Sequence, residues 1–90
     1  MFDFVEYNLK RIWNLVGLTE NEVSITGDDD RIDVTMDLKR FTKTFDDVGE
    51  FEDIRAIVIS WVSYSTPFEM IYESMNYNTY EHKVTFGRRD

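Results

Sequence analysis

From Ile32 to Leu38 an apolar side chain occupies every second position, and Arg31, Asp33, Thr35, Asp37 and Lys39 fill the places around them. Successive residues of a strand point to opposite faces, so this stretch has one face for a core and one for water. A chain carrying it needs a sheet that is covered on one side. Just upstream, Val23 and Ile25 alternate with Ser24 and Thr26, and Gly27-Asp28-Asp29-Asp30 supplies turn chemistry between the two runs. The pair reads as a β-hairpin.

The flanking segments supply the cover. Val5, Leu9, Ile12, Trp13 and Val16 recur at helical spacing, Asp3 and Glu6 have the spacing of a capping box, and Gly17 with Leu18 fits a helix stop. The spacing predicts a helix over 3–16. Residues 42–53 read as a polar, acidic connection that has room for a short helical turn. Residues 54–64 fit two readings: Ile54, Ile57, Val58, Trp61 and Val62 suit a helix, while the β-branched run from Ile57 to Val62 suits a strand buried on both faces. Propensity favours the strand. Thr66-Pro67-Phe68-Glu69 has the form of a capping box with proline at the first helical position, which predicts a helix over 67–75. A loop from Asn76 to Thr79 and a last strand from Tyr80 to Phe86 complete the chain. The expectation is one α+β domain over 1–90. It has a three- to four-stranded, mainly antiparallel sheet and two helices, in the order α-β-β-β-α-β.

Ninety residues suit one core, and 42% apolar with 16% aromatic content argues against disorder. The absence of cysteine excludes disulfides, thiolate metal sites and thiol nucleophiles. No run approaches the apolar length of a membrane span, and the start lacks the basic region and apolar run of a secretory signal. The expected location is the cytoplasm.

Charge is distributed unevenly. Residues 19–53 hold twelve acids against four bases, whereas the rest of the chain is balanced, so this block carries the whole net charge of −8. Such a surface repels nucleic acid and steers toward basic protein surfaces, including the grooves that nucleic-acid-binding proteins keep for phosphates. The candidate partner-binding carboxylates are Asp28, Asp29, Asp30, Asp33, Asp37, Asp46, Asp47, Glu50, Glu52 and Asp53. Solubility is the competing explanation for them. Arg31 and Lys39, on the same strand face as Asp33 and Asp37, partly neutralise those two. Tyr72, Tyr77 and Tyr80 gather around the Asn76–Thr79 loop as adhesive rings or as the rim of a small core, with Tyr64 nearby at the end of its segment.

Other chemistries lack their parts. Asp28-Asp29-Asp30 has neither the alternation nor the distal glutamate of a calcium loop. His82, the one histidine, reads as a surface or edge residue outside any triad motif, and the acids lie in polar runs rather than apolar pockets. Trp13 and Trp61 fall within apolar patterns and read as core. Arg88-Arg89-Asp90 reads as a frayed tail. No catalytic, cofactor or metal residues are expected, and the chain reads as a non-enzyme.

In size, acidity and lack of catalytic motifs the chain resembles the small inhibitors that bacteriophages and mobile elements direct against host nucleic-acid enzymes, including anti-restriction and anti-CRISPR proteins. No sequence motif carries that likeness. It implies a protein-binding inhibitor acting in a host cytoplasm, a nucleic-acid mimic that occupies a basic surface without itself binding nucleic acid or membrane. The alternative is a structural or adaptor subunit that self-associates, as a homodimer or within a larger assembly.

Overall fold

The computed structural model describes residues 1–89. Two helices, α1 (Phe2–Leu15) and α2 (Phe45–Ser65), share a core with a four-stranded antiparallel sheet of β1 (Val23–Gly27), β2 (Arg31–Asp37), β3 (Phe68–Asn76) and β4 (Glu81–Arg88). The strands stand in the order β1-β2-β4-β3, and a single 3-10 turn, Lys39–Phe41, leads from β2 into α2. The α+β class is as the sequence implies. The chain order is α-β-β-α-β-β, which differs from the expectation in the second half.

The first half follows its sequence signals. Val5, Leu9 and Trp13 bury one stripe of α1. Its exit is a Schellman turn: Gly17 takes φ +83°, the Leu18 N–H bonds the Trp13 carbonyl at 2.9 Å, and the Gly17 N–H bonds that of Asn14 at 3.2 Å. The Asp3–Glu6 capping box does not form. Asp29, reaching from the hairpin turn, instead accepts the Phe2 N–H at 3.0 Å. The hairpin pairs Val23 with Met36 through Gly27 with Ile32, and Ile32, Val34 and Met36 face the core.

The second half corrects three expectations. Most of the segment read as a connection (its residues 45–53) and the whole of that read as a strand (54–64) belong to α2, which runs Phe45–Ser65 over 21 residues. Its start is a reciprocal capping box in which Thr44 Oγ1 accepts the Asp47 N–H and Asp47 Oδ2 accepts the Thr44 N–H, each at 3.1 Å. Phe51, Ile54, Val58 and Val62 then face the sheet at helical spacing. Burying that stripe outweighs the modest strand preference of its β-branched members. Ile57, Trp61 and Tyr64, at i, i+4 and i+7, form a second apolar line along the same helix and obscure its period in the sequence.

Thr66-Pro67, which resembles a helix start, is a helix stop. Thr66 Oγ1 donates to the Val62 carbonyl at 2.5 Å and accepts the Phe68 N–H at 3.1 Å. The expected helix at 67–75 is therefore strand β3. Arg88 lies in β4, and Arg89 is a cap rather than a frayed end: its guanidinium bonds the carbonyls of Ser63, Thr66 and Phe68 at the exit of α2. Asp90, the last residue of that expected tail, lies outside the described residues.

Where β3 meets β4, Met70 stands opposite Phe86 and Tyr72 opposite Thr85, leaving Ile71 as an extra residue in a β-bulge. The bulge resets which side chains face the helices. Beyond it Glu73 stands opposite Val84 and Met75 opposite His82, on the core side, and Tyr72 is turned to the uncovered face of the sheet.

Gly27 has φ +144°, and a Cβ there would stand 2.2 Å from the Arg31 carbonyl oxygen. Gly27→Ala is expected to lower stability by about 2–3 kcal/mol through this clash and strain, seen as a lower denaturation midpoint at unchanged m-value.

Candidate functional site

The fold divides the acidic block into two poles. Asp28, Asp29 and Asp30 lie in the turn at one end of the β1–β2 hairpin, and α2 begins at the other, separated by the roughly 20 Å length of β2. The hairpin acids are mostly engaged within the fold. Asp28 Oδ1 accepts the N–H groups of Asp30 and Arg31 at 2.8 and 3.1 Å. Asp29 is held below the usual carboxylate range by the Phe2 N–H it accepts and by the terminal ammonium group. Asp33 accepts the Thr85 hydroxyl at 2.6 Å with Arg31 3.8 Å away, and Asp37 accepts the Lys39 N–H at 2.9 Å. These carboxylates shape turns and sheet more than they form a free surface.

The opposite pole is less neutralised. Asp46, Glu50 and Asp53 recur at i, i+4 and i+7 on the exposed side of α2, and among the described residues none forms a salt bridge. Asp47 closes the capping box, and Glu52 is 4.0 Å from Arg55 at the limit of an ion pair. Negative side chains also suit this helix end, where the unpaired N–H groups carry partial positive charge.

On another side of the same turns, a groove of about 380 Å³, lined from α2 by Val48, Phe51 and Glu52, opens between the helix, the 3-10 turn and the β3–β4 loop. Phe41 and Phe51 form its floor with ring centres 6.0 Å apart, and Met75, Tyr77 and Tyr80 wall it. The loop is shaped by Asn76, whose Oδ1 accepts the N–H groups of Asn78 and Thr79 at 2.9 and 3.2 Å. Tyr80 takes φ +54°, and its carbonyl accepts the Leu38 N–H at 2.8 Å. Of the tyrosines singled out in the sequence, Tyr77 and Tyr80 reach this groove. Tyr72 lies on the far sheet face, and Tyr64 sits at the other end of α2, away from them. Trp13 is buried as expected, and Trp61 is partly buried, its ring 5.8 Å from Phe4.

No family model, curated protein or solved structure matches the chain. What the site can do follows from its own residues.

Behind the groove lies an ionic cluster that the sequence reading missed. His82 is 4% exposed, buried rather than at the surface, with its ring edge-on to Phe51 at 5.0 Å. Glu73 Oε2 meets His82 Nε2 at 2.7 Å and Arg55 Nε at 2.5 Å, and Glu73 Oε1 accepts Arg55 Nη2 at 2.6 Å. One carboxylate thus joins α2, β3 and β4. Nothing local marks these residues, because they are 18 and 9 positions apart in sequence and meet only once the bulge has turned Glu73 inward. Among the described residues no three His, Asp or Glu side chains gather closely enough to hold a metal ion, and no helix is long and apolar enough to cross a membrane.

The bidentate bond from Arg55, with help from His82 and against the effect of burial, lowers Glu73 from 4.5 to about 2. A carboxylate depressed in the folded state stabilises the protein above its unfolded value and loses that contribution as pH falls through the folded one. The cluster should therefore contribute about 2 kcal/mol near neutrality, lost as pH drops from about 4.5 to about 2. Glu73→Gln is expected to lower stability at pH 7 and flatten the acid limb, measured by urea unfolding across that range.

Proposed function

We propose that this chain is a non-catalytic, protein-binding inhibitor that docks on a basic surface through the first turns of α2 and the groove beside them. The observation that carries the reading is that the first turns of α2 hold Asp46, Glu50 and Asp53 on one side, without a salt bridge among the described residues, while Val48, Phe51 and Glu52 of the same turns line the groove walled by exposed Tyr77 and Tyr80. Each part alone has a bland explanation: acids solubilise, and rings complete a core. On two sides of the same helix end they offer a protein partner aromatic area for affinity and charge for steering. A nucleic-acid-binding enzyme is the partner class that best fits, since carboxylates in its phosphate groove compete for the same Lys and Arg side chains. The hairpin acids contribute less to this surface than their number in the sequence suggests, because most are engaged locally.

Binding of this kind weakens with salt. Affinity for such a partner is expected to fall at least tenfold between about 0.05 and 0.5 M salt, and polynucleotide should compete. Affinity unchanged across that range rules the mechanism out. Asp46→Lys, Glu50→Lys and Asp53→Lys together should slow association more than they speed dissociation, in surface-plasmon kinetics.

A second reading is self-association. Phe4, Tyr7, Ile57 and Tyr64 are respectively 50%, 67%, 45% and 90% exposed on the two helices, and the residues outside the 19–53 block add no net charge to oppose a second copy. Light scattering decides: a strict monomer at micromolar to millimolar concentration removes this alternative.

A further inference from the structure

Among the described residues the groove has one charged lining residue, Glu52, whose side chain is half exposed and 4.0 Å from Arg55. The rest is aromatic, aliphatic or thioether surface with one threonine. Phe41 and Phe51 line the bottom but are themselves buried, with Arg40 already 5.8 Å from the Phe41 ring centre. The ring area open to a ligand therefore comes mainly from Tyr77 and Tyr80, which close the sides at 65% and 40% exposure. An apolar ligand would be served by the rings but not by the acid at the rim. A simple point charge would be served by the acid but would gain little from the rings. A flat, weakly hydrated cation on an aliphatic stem uses both, because a guanidinium stacks on aromatic faces and pairs with a carboxylate.

Tyr80 strengthens the case. Its φ of +54° is a conformation that glycine or asparagine holds easily and a bulky aromatic residue does not. The Tyr80 ring walls the groove.

Resting on the proposed docking to a basic surface, we infer that the groove is the anchor pocket for one arginine side chain of the partner. The α2 carboxylates Asp46, Glu50 and Asp53 attract the basic surface as a whole, and the groove selects arginine over lysine within it. The division of labour separates steering, which is salt-sensitive, from stacking, which is much less so.

The test uses acetylated, amidated hexa-arginine and hexa-lysine peptides, titrated into the folded protein and followed by amide and aromatic NMR shifts. Hexa-arginine is expected to bind about fivefold more tightly than hexa-lysine at the same salt, with Met75, Tyr77 and Tyr80 resonances moving. Tyr77→Ala and Glu52→Gln, both at exposed positions, should remove most of that preference. The Tyr77 variant should leave the salt dependence as it was. Replacing Asp46, Glu50 and Asp53 by their amides should weaken both peptides alike. Equal binding of the two peptides, with no response to Tyr77→Ala but a loss in the amide variant, overturns the arginine pocket and leaves the acidic docking surface standing. Failure of both peptides to bind at low salt overturns the docking surface itself, and the pocket with it.

Discussion

Glu73 is an ionised carboxylate placed in the layer between helix and sheet, where an unpaired charge would be costly. Arg55 from α2 and His82 from β4 meet it there, and the three fix how the long helix lies over the β3–β4 hairpin. The position of α2 in turn sets where its first turns emerge, beside the loop that carries Tyr77 and Tyr80. Phe51 serves both sides of this arrangement: its ring packs on His82 and also forms the floor of the groove. The candidate docking surface is thus positioned in part by a half-buried ionic contact several residues away from it.

The same logic explains the use of the acidic residues. Carboxylates in the hairpin satisfy backbone donors at a tight turn and at the start of α1, where few other partners are available. Carboxylates at the start of α2 complement the helix end and, apart from the capping Asp47, remain open to solvent. One run of negative charge in the sequence therefore serves two physical purposes, and its two parts lie at opposite ends of β2.

Local signals were legible where they agreed with one another. The alternation of β2, the stripe of α1 and the Gly17 stop each specify a single answer, and the chain adopts it. They were misleading where one residue type serves opposite ends of a helix. Thr66 and Pro67 suit a start by their chemistry, yet Thr66 bonds backward to Val62 and the helix ends there. Residues 57–62 were ambiguous because apolar side chains surround that part of α2, so neither period stands out. Of the candidate site, the acids and tyrosines were recognisable by type, but the division between engaged and free carboxylates was not.

By itself, the amino-acid sequence determined the α+β class, the first helix and hairpin, and the imbalance of charge, because each depends on neighbours within a few positions. Tertiary structure decided that 45–65 is one helix, that His82 is buried, and that Tyr77 and Tyr80 but not Tyr72 join the acidic end of α2. Those outcomes depend on the competition between burial and propensity and on a one-residue bulge in β3. Both are settled by contacts between segments far apart in the chain, where local pattern carries no information.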